Sequence, residues 1–203
     1  MDKPTLSYFD APVSRGEECR LALWIAGVDF VDDRIKAADW PARKPATPFG
    51  SVPTLALPGR PLLAQSTAIL TYIGRSHDLH PADLFEAARH EAMMQFAEDL
   101  RAQITPTMRL KDEAEKQAAR AALAAGAIPT WGEQAERQLG DGPFFAGAKL
   151  HVVDLKLFTV LRWLASGKLD HIPATVLAPF AKLTRLREAV EHHPRVVAWY
   201  ARG

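Results

Sequence analysis

The chain has 203 residues, 48% hydrophobic and 24% charged, which are the proportions of an ordinary globular protein and exclude disordered, collagen-like and coiled-coil rod classes. Lys and Arg number 25 against 24 Asp and Glu, and the resulting net charge of +1 gives no strong pull on nucleic acid or an anionic membrane. A single cysteine, Cys19, excludes a disulfide framework and paired-cysteine redox or zinc-knuckle sites and points to a reducing cytoplasm. No run reaches the ~18 apolar residues of a membrane span, and the first ten residues lack a signal-peptide core.

From Thr5 to Ile73, proline and glycine break the chain into short elements. The expected order is a strand over Thr5–Phe9, a helix over Glu17–Ala26 and a strand over Phe30–Ile35. Two further strands, Thr54–Leu57 and Pro61–Leu63, are joined by the tight turn Leu57-Pro58-Gly59-Arg60-Pro61. A helix follows over Ser66–Ser76, with Ser66 as N-cap and Ile69, Leu70 and Ile73 on one face. The segment from His77 to Phe85 is polar and broken by Pro81, and reads as a linker. Beyond it the composition favours helices over about Asp83–Arg109, Asp112–Leu139, Val152–Ser166 and Pro179–His192, with Pro106 and Pro129 expected to kink or end theirs. The expected organisation is a small α/β domain over 1–77, a linker over 78–85 and an all-α domain over 86–203.

Familiar catalytic signatures are missing. There is no GxGxxG, phosphate-binding loop, GxSxG or HExxH. His77, His80, His192 and His193 lack a carboxylate or thiolate frame, so they read as solvated side chains and no metal is expected.

What the chain does carry is a distributed pattern. Tyr8-Phe9 closes the first strand, Arg15 and Glu17 open the first helix, and Asp39-Trp40-Pro41 with Lys44 follows. Then come Ser51-Val52-Pro53, Gln65-Ser66, Glu98-Asp99, and Phe144-Phe145-Ala146-Gly147 with Asp154. In that order and spacing the sequence resembles the cytosolic glutathione transferases, most closely the sigma class, almost end to end. The resemblance implies a thioredoxin-like N-terminal domain, an all-α C-terminal domain, a homodimer, and glutathione as cosubstrate.

It also implies roles. Tyr8 would be the catalytic residue, donating its phenol O–H to the glutathione thiolate, whose free thiol has a pKa of roughly 8.5. Arg15 would be a supporting cation. Val52, before a cis Pro53, would pair with the peptide backbone of glutathione as an added strand does. Gln65 and Ser66, at a helix N-terminus, would receive the γ-glutamyl carboxylate. Trp40 and Lys44 would hold the glycyl end, Ser51 would stand where many relatives have Gln or Lys, and Asp99 would reach the partner subunit's glutathione. Phe9, Ile104, Thr107 and Met108, with Trp199-Tyr200 as a further wall, would line a pocket for a small apolar electrophile. Two other readings remain open: a glutathione-binding or scaffold protein without turnover, and a thiol-exchange enzyme using Cys19, although Cys19 lies inside the first helix and reads as a structural thiol. His151 stands where the family usually has a Ser or Thr cap, three residues before Asp154.

Overall fold

The computed structural model describes residues 3–202. Strand β1 (Thr5–Phe9) runs parallel to β2 (Val31–Ile35), with Tyr8 opposite Arg34, and antiparallel to β3 (Thr54–Ala56), with Ser7 opposite Thr54. β4 (Leu63–Ala64) pairs antiparallel with β3 across the expected turn, where the Arg60 N–H donates to the Leu57 carbonyl at 3.1 Å. The sheet order is β2-β1-β3-β4. A parallel pair needs a crossover, and helix α1 (Ser14–Ile25) supplies it between β1 and β2. This helix begins at Ser14 rather than Glu17, because the chain turns sharply at Ser14, whose φ is 60°.

The proline-rich stretch after β2 is helical only briefly, at α2 (Trp40–Arg43), flanked by single 3-10 turns at Ala37–Asp39 and Lys44–Ala46. Helix α3 (Ser66–Ser76) has the expected bounds and buries Ile69, Leu70 and Ile73.

Helix α4 (Leu84–Ile104) is capped by the Asp83 carboxylate, which accepts from the Glu86 N–H at 2.9 Å. It tightens at Pro106 into a 3-10 turn, Thr105–Arg109. The single helix expected over Asp112–Leu139 is two, α5 (Glu113–Ala125) and α6 (Ala127–Glu136). Gly126 breaks it, with φ −127° and ψ −83°, one turn before Pro129, which has no N–H to return to Ala125. Helix α7 (Val152–Leu164) buries nearly all its residues and packs on α1 and α4. It also packs on α8 (Ala181–Glu191). The last helix, α9 (Pro194–Tyr200), was not expected; Pro194 occupies its first position, where a missing N–H costs nothing.

The sheet and the helices share one core, in which Leu6, Leu21, Leu55 and Leu70 are continuous with Met94, Leu100, Phe158 and Leu161. Removing the ring of fully buried Phe158 is the sort of change that costs about 3–5 kcal/mol. At the joint between α3 and the C-terminal helices, His80, His90 and His151 are buried together, His90 with ring centroids 5.8 Å from His80 and 5.0 Å from His151. His80 is therefore not a solvated linker residue: the chain folds back so that the Leu79 carbonyl accepts from the Val152 N–H, and this draws His80 under α7. Asp154 reaches back to the His151 N–H at 2.8 Å and also holds the Phe145 N–H at 2.7 Å. The His151 ring Nδ1 has no partner, so the cap rests on Asp154.

Candidate active site

Four chain segments converge at the edge of the sheet: the end of β1, the first turn of α1, the loop into β3, and the first turn of α3. Tyr8 stands on β1, and its ring lies against the backbone of α1 at Gly16, so closely that a methyl group on Gly16 would overlap it. Burial, only partly offset by the Ser14 hydroxyl and Arg15, holds the Tyr8 phenol above its usual pKa. It is thus a neutral donor at physiological pH. Phe9 stands edge-on to Tyr8 at 5.5 Å and to Trp40 at 5.4 Å, so the three rings form a ladder from β1 to α2.

The loop into β3 begins at Gly50, whose φ is 60° and whose Cα is close to the Lys44 side chain; an added Cβ would sit 3.3 Å from Lys44 Cε. The Lys44 side chain therefore lies against the start of this loop at Gly50. The Val52-Pro53 peptide is cis. Among the described residues, no backbone group pairs with Val52, no carboxylate pairs with the Lys44 ammonium, and the Trp40 indole N–H has no acceptor.

At α3 the backbone is strained. Gln65 has φ 71° and ψ 117°, a conformation that costs a non-glycine residue on the order of 1–3 kcal/mol. The distortion lets the Ile69 N–H close the first turn on the Gln65 carbonyl at 3.0 Å and places Ser66 at the helix start. The first N–H groups of such a helix are unpaired and attract a carboxylate. A cavity of about 1000 Å³ runs between α3 and α4, lined in part by Arg15, Gln65, Ser66 and Glu98. Tyr8, Trp40, Lys44 and Val52 lie outside its walls, and Arg15, which lines it, acts electrostatically on Tyr8.

Arg15 is not a free cation. Its Nε and one Nη both contact Glu98 Oε2, at 2.8 and 2.7 Å. Glu98 Oε1 in turn meets Arg101 at 2.6 Å and Lys156 at 2.7 Å. Arg101 and Lys156 also hold Glu18, at 2.8 and 2.7 Å, and Thr159 Oγ1 donates to Glu18 at 3.0 Å. Glu18 and Lys156 are fully buried. Burial alone would raise Glu18, but Arg101 and Lys156 override it and keep the carboxylate ionised. Burial also opposes the charge on Glu98, and Lys156 with Arg101 brings its pKa down to about 2. None of Glu18, Arg101, Lys156 and Thr159 was anticipated from sequence. The one cue was a lysine in the middle of the largely apolar helix from Val152 to Leu164.

Other expected residues fall elsewhere. Asp99 is exposed on α4 and pairs with no cation among the described residues. Ile104 is fully buried, and the Thr107 hydroxyl is spent between the Ile104 carbonyl and Arg120, so neither side chain opens onto the Tyr8 region. Met108 is 53% exposed, its sulfur accepting from Arg120 at 3.0 Å. Trp199 and Tyr200 line a separate cleft of about 900 Å³ with Trp24 and Phe30, and Trp199 donates to Glu17 at 2.7 Å. Cys19 is fully buried, and burial, reinforced by Glu18, pushes its thiol well above the ordinary value, which removes it as a nucleophile.

A sheet and helical layer of this topology, with a cis-proline loop and a helix N-terminus at one edge, match a known family. The family models "Glutathione S-transferase, N-terminal domain" and "Glutathione S-transferase, C-terminal domain" match residues 15–76 and 98–203. The chain belongs to the glutathione S-transferase family of enzymes. It is 30% identical over 194 residues to hematopoietic prostaglandin D synthase of Gallus gallus, covering 96% of this chain and 93% of that one. Glutathione S-transferase 1 of Ascaris suum is 41% identical over 110 residues, a match that spans 54% of this chain and only 52% of the relative. Among solved structures, prostaglandin synthase D of Nilaparvata lugens superposes with a TM-score of 0.87 at 26% identity, covering 99% of this chain and 98% of that one. Among the described residues, no helix is long and apolar enough to cross a membrane, and no group of His, Cys, Asp or Glu is arranged to hold a metal ion.

Proposed function

We propose that the protein is a glutathione transferase of the tyrosine type, most like the sigma class, in which Tyr8 stabilises the thiolate of bound glutathione. The reading rests on one observation above all: a half-buried phenol at the end of β1, held neutral by its surroundings, on the same side of the fold as unpaired groups at Trp40, Lys44 and Val52. Ser66 and the first N–H groups of α3 meet the γ-glutamyl carboxylate, with Gln65 at the same turn. The Val52 N–H and C=O pair with the cysteinyl backbone, next to Ser51 and cis Pro53. The Trp40 indole and Lys44 ammonium meet the glycyl carboxylate. Asp99, exposed and unpaired, meets the ammonium of the glutathione in a partner subunit, which makes a homodimer part of the proposal.

In this scheme the thiolate sits against the Tyr8 O–H. A hydrogen bond to a charged acceptor is the strong kind, and lowering the thiol pKa by about two pH units calls for about 2.7 kcal/mol. Arg15 contributes positive potential at Tyr8 even though it is paired, because its partner Glu98 is itself shared with Arg101 and Lys156. The activated sulfur then attacks a small apolar electrophile, or adds and leaves again to isomerise one, as the names of the prostaglandin D synthase relatives suggest. Phe9 and Met108 are the apolar groups offered to that substrate. The single buried cysteine fits a protein of the cytoplasm whose working sulfur comes from its cosubstrate.

The test is glutathione-dependent turnover of an aryl halide by wild type, Tyr8→Phe and Cys19→Ser. Loss of turnover in Tyr8→Phe with glutathione binding retained supports the reading. Binding without turnover in wild type would instead make the chain a glutathione-binding scaffold, and loss confined to Cys19→Ser would move the chemistry to that thiol.

A further inference from the structure

The mechanism above uses the start of α3 but leaves unexplained the buried ion cluster beneath it. We infer that Lys156, on α7 in the helical domain, is a positioning residue for the carboxylate subsite: it turns the Ser66 hydroxyl into an obligatory donor toward an anionic ligand and leaves the subsite one positive charge in surplus. This deepens the proposed glutathione site and rests on it.

The geometry is specific. Lys156 Nζ donates to Glu18 Oε1 at 2.7 Å and to Ser66 Oγ at 3.0 Å, and it forms an ion pair with Glu98 Oε1 at 2.7 Å. An ammonium is a donor with no acceptor, so Ser66 Oγ must act as acceptor in that bond. The hydroxyl hydrogen of Ser66 then cannot point back at Lys156. Ser66 is nearly buried but lines the cavity between α3 and α4, so that hydrogen is available to a ligand there. The same contact makes Ser66 more than a helix cap.

The charges point the same way. Among the described residues, Arg15, Arg101 and Lys156 form ion pairs only with Glu18 and Glu98. Three cations against two carboxylates leave a net positive charge next to a helix N-terminus, and both features favour one more carboxylate at that point. Because Lys156 sits on α7 and Ser66 on α3, the helical domain sets the chemistry of a subsite carried by the sheet domain. No charge on α3 itself could do this, as its first turn holds none.

The experiment measures calorimetric affinities of two probes: glutathione, and glutathione whose γ-glutamyl α-carboxylate is replaced by a primary carboxamide. Wild type should prefer glutathione strongly. In Lys156→Met, which matches the lysine stem and leaves two cations facing two carboxylates, affinity for glutathione should fall about tenfold, while affinity for the carboxamide changes by less than about twofold. Thr159→Val removes a different Glu18 partner from the same cluster. It should lower stability without altering the preference between probes, which separates positioning from general loss of packing. Equal preference for the carboxylate in wild type and Lys156→Met would overturn the inference while leaving the glutathione site intact. Absence of glutathione binding to wild type would overturn the site itself, and the inference with it. Should Lys156→Met fail to fold, Lys156→Gln and Lys156→Leu give the same reading, since both remove the ammonium and should lose the preference; its retention in both would contradict the inference.

Discussion

Arg15 and Glu98 bind each other from opposite domains, the Nε and one Nη of Arg15 meeting Glu98 Oε2 at 2.8 and 2.7 Å while Glu98 Oε1 is shared by Arg101 and Lys156. One carboxylate thus joins the first turn of α1 to the buried cluster between α1, α4 and α7. Glu98→Gln leaves three cations facing Glu18 alone. Removing one partner of a mostly buried pair is strongly unfavourable, and about 2–3 kcal/mol of unfolding free energy should be lost after allowing for partial exposure. Chemical denaturation at pH 7 reads it. The pH dependence has a definite sign: Glu98 has a folded pKa of about 2 against 4.5 in its ordinary state, so its contribution is full above 4.5 and disappears as pH falls toward 2. The variant should lack that part of the acid sensitivity.

Gly16→Ala tests how Tyr8 is held. A methyl group there would overlap the Tyr8 ring, and Gly16 is itself buried in α1, so the ring must move rather than the helix. Misplacing a reacting group by about 1 Å can cost on the order of a hundredfold in rate. Turnover should fall by about that factor, with glutathione binding at Ser66 and Lys44 reduced much less. Equal turnover in Gly16→Ala would show that the Tyr8 position is not critical.

Buried histidines predict a second acid transition. Burial, with smaller contributions from His151, His80 and Arg89, brings the His90 pKa down from 6.5 to about 3. Both its ring nitrogens are buried without partners. The folded protein keeps His90 neutral while the unfolded chain protonates below 6.5, so stability is lost as pH falls from 6.5 toward 3, at up to about 1.4 kcal/mol per pH unit. Lys149, Asp78 and Glu91 surround the neighbouring histidines and tune the slope. The melting temperature of wild type should drop steeply between pH 6.5 and 4.5, a window above that of Glu98, and His90→Leu should flatten that drop. Parallel curves for the two proteins would count against it.

Cys19→Ala is expected to leave glutathione-dependent turnover within about twofold of wild type. The thiol is sealed in the core with a raised pKa, and its removal creates only a one-atom cavity, worth about 1 kcal/mol of stability. An assay with and without the substitution decides the matter.

Local chemistry made the sheet domain legible. β1, the hairpin after Leu57 and the bounds of α3 follow from short strand runs, a Pro-Gly turn and a Ser at the helix start. The break at Gly126 and the helix after His193 were missed because each turns on one residue, a glycine inside an alanine-rich run and a proline that starts a helix instead of ending one. The ordered motif from Tyr8 to Ser66 is the part of the candidate site that the sequence itself names. Its other half was out of reach: Glu18, Lys156 and Arg101 look like surface charges on their helices, and their partners lie 83 and 138 residues away in sequence. Only packing of α7 onto α1 turns those charges inward. Ile104 and Thr107 show the converse, since their position near the end of α4 gave no sign that the turn at Pro106 points them into the core.

The most direct test of the account is the pH dependence of kcat/KM for the electrophile at saturating glutathione in wild type and Tyr8→Phe, with the absorbance of the bound thiolate as an independent readout. A neutral Tyr8 donor predicts that the thiol in the wild-type complex titrates about two pH units below its free value of roughly 8.5. In Tyr8→Phe the midpoint should return to about 8.5 while the dissociation constant of glutathione changes less than about threefold. The same midpoint in both proteins would contradict the assignment of Tyr8 as the group that stabilises the thiolate.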